Sequence, residues 1–254
     1  MMDITAYLQR VDYHGPLAPT AETLRALHLA HLLAMPFENL DIHLGRPIIL
    51  DEKRLFHKIV ERRRGGFCYE LNGLFAALLR ELGFDVTLLS ARVYDNGDFG
   101  PEFDHLVLLV QLEEHWLADV GFGDSFREPL RLDEPGDQIQ DGCVYRIAHD
   151  GTDWTMLERG EEGICDGYKF TLQPRRLADF ADMCHYQQTS PDSHFTQRRI
   201  CSRATPEGRI TLSDMKLIVS ARGERRERLL DSQEEYAAML REHFGIDIPH
   251  SAFH

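Results

Sequence analysis

The sequence predicts an α+β fold in which helices come first, a long series of short strands follows, and a mixed segment closes the chain. Over residues 20–82, apolar side chains recur at spacings of three and four, the period of an amphipathic helix. From residue 86 onward, the spacing of the apolar side chains changes to two, the period of a half-buried strand. A doubly wound sheet would alternate strand and helix throughout, so this order of elements favours the α+β class.

Capping residues and glycines mark the ends of the predicted helices. The markers are, in chain order, Thr20, Asp51, the pair Gly65-Gly66, and Gly83. They predict a first helix over Ala21–Ala34, a second that follows Asp51, and a third that begins at Phe67 or Cys68. The apolar positions of the third helix follow i, i+3, i+4, i+7, i+8 and i+11, so one whole face of it is expected to be buried.

The alternating segments come next. Strands are predicted over 86–94, 105–112, 115–120, 144–148, 154–157 and 163–172, and later over 195–201, 210–212 and 216–220. Residues 149–151 are typical of a hairpin turn. A short helix is predicted after Pro174, and a last helix opens with a capping box between Ser232 and Glu235 and ends at Gly245.

The composition excludes several classes of protein. The chain has 254 residues, of which 43% are apolar, so a sizeable core is expected. Its 28 basic and 42 acidic side chains give a net charge of −14, which argues against a general nucleic-acid or anionic-membrane surface. No segment has the ~20 apolar residues of a membrane helix. Five scattered cysteines and no basic leader indicate reduced thiols in the cytoplasm rather than a disulfide framework or zinc site.

One cysteine stands where a nucleophile is expected. Cys68 follows two glycines and opens the most strongly amphipathic helix of the chain. The positive end of the helix dipole and the unpaired amide hydrogens there favour the thiolate, which is the nucleophilic form. A buried structural cysteine is the alternative, since unpaired cysteines are often buried. The glycines and the helix start favour the reactive role, and the other four cysteines are assigned to packing.

A thiolate nucleophile needs a base, and the base needs an orienting group. Among 13 histidines, His105 opens an apolar strand, and Asp119 interrupts another. If residues 112–114 form a three-residue hairpin loop, Asp119 lies opposite Val107 and diagonal to His105 on one face of the sheet. A two-residue loop would place the two side chains on opposite faces. With the longer loop, the carboxylate orients the imidazole as in a Ser-His-Asp triad, with sulfur in place of oxygen.

Several motifs, in order along nearly the whole chain, resemble those of the arylamine N-acetyltransferase family. They are PFENL at 36–40, RGGFCYELNGLF at 64–75, His105 before an apolar strand, DVGFG at 119–123 and QTSPDSHFT at 188–196. The resemblance implies an N-terminal helical bundle, a central β-barrel and a C-terminal α/β lid around a Cys-His-Asp core like that of thiol proteases. We therefore expect three units: 1–84 with the nucleophile, 85–190 with the histidine and aspartate, and 191–254 as the lid.

The family resemblance also implies an activity. Acetyl-CoA is the expected co-substrate, no metal is expected, and the acetyl group passes through an acetyl-cysteine in ping-pong order. The expected acceptors are arylamines, arylhydrazines or N-hydroxyarylamines. The partners are thus small molecules, an aromatic amine or hydrazine and an acyl-CoA.

Carried onto this sequence residue by residue, the resemblance makes Cys68 the nucleophile, His105 the base and Asp119 the orienting group. Substrate contacts are expected from Phe37, Asp104, Phe122 and Phe195, and coenzyme A contacts from Gly123, Arg199 and Thr205. The arginines around Arg199 are expected to hold phosphates. The sequence departs from the family at Asp104, where Thr is usual, and at Asp124, where Gly is frequent. Both departures lie beside the triad, where they affect acceptor or donor preference.

Two other classes of function compete with this interpretation. A thiol hydrolase or transglutaminase-like enzyme would use the same triad, but the papain signature around the cysteine differs. In papain-like enzymes the histidine also lies much further downstream than the 37 residues that separate Cys68 from His105. A non-catalytic binding module would have no need of an intact Cys68, His105 and Asp119. The sequence therefore favours the transferase.

Overall fold

The computed structural model describes residues 2–95, 97–160 and 163–252, and for 160 and 163–166 it describes the backbone alone. Its helices precede an extensive antiparallel sheet and a second, smaller sheet, which confirms the predicted α+β class. Within the described ranges, every helix is too short or too polar to cross a membrane.

The N-terminal helices begin and end close to the predicted residues. They are α1 (Ile4–Arg10), α2 (Ala21–Ala34), α3 (Leu40–His43), α4 (Glu52–Phe56) with a π-helical turn at His57–Glu61, and α5 (Cys68–Glu81). Thr20 and Asp51 cap α2 and α4 through their side chains, as predicted. Gly83 follows α5 with a φ of +90°, a conformation that only glycine adopts readily. The sequence did not predict α1, which has seven residues and therefore too little periodicity to detect.

The central part of the chain forms a nearly closed β-barrel. Its strands are β2 (Asp85–Asp95), β3 (Asp98–Phe99), β4 (His105–Gln111), β5 (His115–Ala118), β6 (Leu130–Arg131), β7 (Gln138–Gln140), β8 (Cys143–His149), β9 (Trp154–Gly160) and β10 (Gly163–Phe170). The order is β6-β5-β4-β2-β10-β9-β8-β7, all antiparallel, with β3 paired to β2. The side chain of Gln138 bonds both backbone groups of Arg131, so it links β7 to β6 across the gap.

The hairpin of β4 and β5 has the register on which the predicted triad depends. Gln111 pairs with His115 and Leu108 with Ala118, so three residues form the loop, which is the longer of the two loops that the sequence left open. Alternate residues of β4 pack into different cores: Leu106 and Leu108 against the helices, Val107 inside the barrel. The strand is apolar throughout because both of its faces are buried.

The C-terminal part contains the second sheet and the remaining helices. Its elements are a 3₁₀ turn at Leu177–Phe180, α6 (Ala181–Thr189), α7 (His194–Gln197), β11 (Ile200–Thr205), β12 (Gly208–Ser213), β13 (Lys216–Ala221), β14 (Glu224–Leu229), α8 (Gln233–Phe244) and a 3₁₀ turn at His250–Ala252. The sheet order is β1-β11-β12-β13-β14, where β1 is Phe37–Glu38 from the N-terminal region. The sheet therefore ties the segment after α2 to the C-terminal part of the chain.

The predicted strand over 195–201 is wrong in its first half. Residues 194–197 form α7, because Ser193 accepts the Phe195 amide at 3.2 Å and Asn39 donates to the carbonyls of Phe195 and Arg198. The sequence also did not predict β14, whose six side chains are all exposed. Without a buried face it has no alternation of apolar and polar residues to detect.

Candidate active site

A cavity of about 1060 Å³ opens where the helices, the barrel and the C-terminal part meet. It brings together most of the predicted site residues. Those that line it are Cys68, His105, Phe37, Asp104, Phe122 and Phe195. Asp119 lies behind His105 and is 3% exposed. Residues that are distant in the sequence therefore line one cavity, which has the size of a site for a small molecule.

Cys68 is the first residue of α5, at the position that the sequence predicted. The backbone before it runs tightly against β1: the Gly66 amide donates to the Pro36 carbonyl, and a Cβ at Gly65 would lie 1.8 Å from that carbonyl oxygen. Neither glycine has a positive φ. Gly65 is therefore required for close approach to the segment that leads into β1, whereas Gly66 leaves room for the side chain of Glu70, whose Cβ would lie 2.7 Å from an added Cβ.

A buried cluster of five charged residues holds this helix start in place. Lys58 bridges Glu70 (2.8 Å) and Asp41 (2.9 Å), and Arg64 bridges Glu38 (2.8 Å) and Asp41 (3.1 Å). Oε2 of Glu70 also accepts the amide of the residue before Cys68, at 3.2 Å. Burial raises the pKa of Glu70 to about 7, although Lys58 acts against it. The cluster therefore joins the β1 segment to the start of α5 through buried charges.

His105 and Asp119 form a buried hydrogen-bonded pair. Nε2 of His105 lies 2.7 Å from Oδ2 of Asp119, and the Oδ1 atom accepts from Asn72 Nδ2 (2.8 Å) and the Gly121 amide (2.9 Å). Burial alone would raise the pKa of Asp119, but His105 and these donors outweigh it and hold the pKa below its usual value. Because a carboxylate only accepts, Nε2 of a neutral His105 carries the proton, and Nδ1 is left as the basic nitrogen.

Two further residues, His28 and Asn72, support this pair, and neither was predicted from the sequence to have a role. His28 lies on α2, and its Nε2 accepts the Asp119 amide at 3.1 Å while Nδ1 donates to the Arg127 carbonyl at 2.7 Å. Asn72 lies one turn after Cys68 on α5 and also accepts the Val120 amide at 2.9 Å. No local pattern marks either residue, because each is one more polar side chain on a mostly apolar helix.

Gly121 packs directly against the helix that carries Cys68. A Cβ at Gly121 would lie 2.8 Å from the Cα of Cys68 and 2.9 Å from its carbonyl oxygen. Any larger residue would push the DVGFG segment away from α5. The signal was present in the sequence, because a glycine two residues after a buried aspartate indicates close approach of another backbone.

The environment of the Cys68 thiol differs from the expected one. The residue is 4% exposed, and burial raises the pKa of its thiol well above the usual range. The carboxylates of Asp104 and Asp119 raise this pKa further, whereas the Leu106 amide lowers it. The prediction of a lowered thiol pKa from the helix start is therefore wrong. Burial disfavours the charged form of the thiol, so a thiolate at this position needs a neighbouring base.

Aromatic rings form the walls of the cavity. The rings of Phe37 and Phe195 have their centroids 6.1 Å apart, and Phe67 packs edge-on to Phe195 at 5.6 Å. On the other side, Phe122 lies edge-on to His105 at 5.2 Å. Such walls suit a flat apolar ligand and reduce the space for water.

Some predicted contacts lie elsewhere. Arg199 stacks on Tyr236 at 4.4 Å and donates to Gln233 at 3.1 Å, and the carbonyl of Thr205 accepts from Arg127 at 2.9 Å. The lining of this cavity includes none of the three residues expected to contact coenzyme A, Gly123, Arg199 and Thr205, although it includes Arg198. Asp124 is exposed and pairs with Arg209 at 2.7 Å, away from the cavity.

Among the described side chains, neither the remaining cysteines nor the residues that could bind a metal form a second candidate site. Cys184 and Cys201 are buried and Cys143 is half-buried, whereas the side chain of Cys165 lies outside the described residues. Burial raises the pKa of Cys184 to about 12. In the part of the chain that the structure describes, no three His, Cys, Asp or Glu side chains are grouped as metal ligands.

Comparisons with known proteins all find N-acetyltransferases. A family model described as N-acetyltransferase matches residues 20–253. An arylamine N-acetyltransferase of Escherichia coli (strain K12) is 36% identical over 247 residues, which are 95% of this chain and 88% of that protein. The solved structure of the arylamine N-acetyltransferase from Salmonella typhimurium superposes with a TM-score of 0.94 at 34% identity, covering 99% of this chain and 97% of that one.

A second solved structure bears on the donor. It is the Mycobacterium marinum arylamine N-acetyltransferase in complex with CoA, with a TM-score of 0.91 and 31% identity. The match covers 99% of this chain and 97% of that one.

Proposed function

Since this chain belongs to the arylamine N-acetyltransferase family, we propose that it transfers an acetyl group from acetyl-CoA to aromatic amines through an acetyl-cysteine at Cys68. The observation that carries this proposal is the buried 2.7 Å hydrogen bond between His105 and Asp119, beside the cavity that Cys68 lines. Arylhydrazines and N-hydroxyarylamines are included as acceptors, because they present the same flat ring and a nucleophilic nitrogen or oxygen.

The first half-reaction acylates the enzyme. Nδ1 of His105 takes the thiol proton, and Sγ of Cys68 attacks the carbonyl carbon of the thioester. The bond from that carbon to the sulfur of coenzyme A then breaks, and His105 returns the proton to the departing thiol. Asp119 keeps the imidazole in the required tautomer and stabilises its charged form. Because one thioester is exchanged for another, this step is nearly balanced in free energy.

The second half-reaction discharges the enzyme. The acceptor nitrogen attacks the carbonyl carbon of the acetyl-cysteine, and the carbon–sulfur bond to Cys68 breaks. His105 carries the proton from nitrogen to sulfur, which regenerates the thiol. Phe37, Phe122 and Phe195 favour an aromatic acceptor over water, because their rings line the cavity with apolar surface.

Acetyl-CoA fits the cavity as the donor, as the CoA complex of the Mycobacterium marinum relative supports. A volume of about 1060 Å³ accommodates an uncharged pantetheine arm together with a small ring. The assignments of Gly123, Arg199 and Thr205 as coenzyme A contacts remain predictions, and Arg198 adds a cation at the cavity itself.

The same proposal divides the chain into three units that meet at the site. Residues 1–84 supply Cys68, residues 85–190 supply His105, and residues 191–254 close the cavity with Phe195 and neighbouring side chains. A unit boundary near residue 84 coincides with the end of α5, and one near residue 190 coincides with the end of α6.

The decisive experiment mixes the protein with acetyl-CoA in the absence of amine and records an intact mass and a peptide map after a rapid quench. We expect one acetyl group, on Cys68, and its discharge to the N-acetyl product when an aromatic amine is added. A thiol hydrolase would release acetate at the same rate with or without amine. A binding module would show no covalent change. Label on Cys143, Cys165, Cys184 or Cys201 would contradict the assignment of the nucleophile.

A further inference from the structure

The wall of the cavity carries an excess of negative charge. Its acidic lining residues are Asp95, Asp104, Asp192 and Asp214. Among the described lining residues, the one Arg or Lys is Arg198, which lies 3.9 Å from Asp214. His194 pairs with Asp95 at 3.3 Å. The aromatic cavity therefore has an acidic side that these basic groups do not neutralise.

Asp104 is the acidic side chain placed beside the reacting groups. It directly precedes His105 and is half-buried, and its Oδ1 accepts from Nε2 of Gln187 at 2.7 Å. Gln187 is itself fixed, since Ser193 donates to its Oε1 at 2.6 Å. No Lys or Arg of the described chain forms an ion pair with Asp104. Its carboxylate is thus held in one orientation; burial raises its pKa, while the neighbouring His105 and the hydrogen bond from Gln187 favour the charged form.

The charge of Asp104 affects the pKa of the Cys68 thiol. Burial is the largest cause of the raised pKa of the Cys68 thiol, and the Asp104 carboxylate is the second largest. A charge that acts on the sulfur atom also acts on a ligand bound against that sulfur, because Asp104 and Cys68 line the same cavity.

We propose that Asp104 makes this enzyme select aromatic acceptors that carry a positively charged substituent, and disfavour acceptors that carry a carboxylate. The inference rests on the proposed function and names the acceptor class of the same site. A cationic substituent gains a counter-charge in the cavity, whereas a carboxylate meets an acidic wall. The charge of Asp104 does not select against the donor, because the thioester end of acetyl-CoA is uncharged and its phosphates are far from the acetyl group.

The test measures discharge of preformed acetyl-enzyme, so that the donor half-reaction does not enter. After removal of excess acetyl-CoA, the acetyl-enzyme is mixed with one of three matched amines: (4-aminobenzyl)trimethylammonium, 4-neopentylaniline or 4-aminophenylacetate. Each has a methylene between ring and substituent, which weakens the electronic effect of the substituent on the aromatic nitrogen; the cation still withdraws electrons and is intrinsically the slower nucleophile, so a faster reaction of the cation reflects the enzyme. Loss of the acetyl mass gives a second-order rate constant for each amine. We expect the cation to react faster than the carboxylate by about tenfold or more.

The variant Asp104→Asn removes the charge and keeps an oxygen that can accept from Gln187. We expect its ratio of cation to carboxylate rates to fall towards one. The control Asp182→Asn removes the same charge from an exposed site on α6 that does not line the cavity, and it should keep the wild-type ratio. High salt should also lower the wild-type ratio, which tests the charge effect without any substitution.

The possible outcomes separate the two proposals. If no acetyl-enzyme forms, or if no amine discharges it, the proposed function is wrong. If the neutral amine discharges it but the wild-type ratio is one or lower, the selection by Asp104 is wrong. An unchanged ratio in Asp104→Asn, or an equal fall in Asp182→Asn, overturns the selection in the same way.

Discussion

Asn72 and Asp119 meet across the junction between α5 and the barrel, where Nδ2 of Asn72 donates to Oδ1 of Asp119 over 2.8 Å. The same nitrogen donates to the Leu106 carbonyl at 2.7 Å, and the amide oxygen accepts from Val120 at 2.9 Å. One side chain on the helix that begins with Cys68 therefore holds both strand ends that carry His105 and Asp119. The geometry of the proposed triad depends on this contact between residues distant in sequence.

The substitution Asn72→Asp tests that contact. Two adjacent carboxylates cannot both ionise readily, so the pKa of Asp119 should rise from its lowered value. Activity that needs an ionised Asp119 is lost as the pH falls through the raised pKa, so the acid limb of kcat/KM should shift to higher pH. We expect kcat/KM at neutral pH to fall by about tenfold or more. A pH profile with an unmoved acid limb would show that Asn72 does not set the charge state of Asp119.

The nucleophile is tested by Cys68→Ala. Turnover should fall by at least about a thousandfold, because the covalent route is lost. Cys68 is 4% exposed, so loss of its sulfur should also lower stability, by about 1 kcal/mol, while unfolding stays cooperative. Cys201→Ala is the matched control, since it removes another buried thiol and should retain activity. Activity in Cys68→Ala within tenfold of the wild type would refute the assignment.

Asp104 and His105 should have opposite effects on the reactivity of the Cys68 thiol. Asp104→Asn should lower the pKa of Cys68, because it removes a carboxylate that raises it. Alkylation by iodoacetamide at neutral pH should then become faster by about threefold or more, whereas His105→Gln should slow it by removing the base. Peptide mapping assigns the label, and Asp182→Asn serves as the control that changes nothing. Equal rates in all four proteins would contradict an activated thiol at this site.

The stability of the fold should fall in mild acid because of His28. Burial lowers the pKa of His28 to about 4, whereas an unfolded histidine titrates near ~6.5. Between these values the unfolded state binds more protons, so stability is lost as the pH falls from ~6.5 to ~4, by about 3 kcal/mol. The Tm of His28→Gln should therefore decline less over this range, since glutamine can accept and donate but does not titrate. An exposed histidine variant, His185→Gln, should decline like the wild type.

Of the two adjacent arginines predicted to hold phosphates, Arg198 should affect donor binding and Arg199 should affect stability. Arg198 lines the cavity, so Arg198→Ala should raise the KM for acetyl-CoA about threefold to tenfold and leave the acceptor KM unchanged. Arg199 stacks on Tyr236, so Arg199→Ala should lower the unfolding free energy by about 1 kcal/mol. Steady-state kinetics with both substrates and thermal denaturation measure these effects. An unchanged donor KM in Arg198→Ala would move the phosphate site elsewhere.

Local signals in the sequence determined much of the fold. The start of α2 follows from a capping threonine, because a cap depends on few adjacent residues. The glycine pair marked the start of α5, although the contact that requires Gly65 is with the distant Pro36. Alternation predicts the hairpin of β4 and β5, and its observed register is the one that a three-residue loop requires. The sequence left a two-residue loop open, so only the structure decided that His105 and Asp119 meet.

Tertiary structure alone decided the properties that sum over distant residues. The pKa of the Cys68 thiol follows from burial by the barrel and from two carboxylates far along the chain, and this reversed the expectation from the helix start. The short helix α7 replaces the predicted strand because Asn39 bonds its backbone. His28 supports Asp119 only because α2 packs against the barrel. Periodicity and capping are short-range effects, whereas desolvation and charge act through space and cannot be computed from neighbours in sequence.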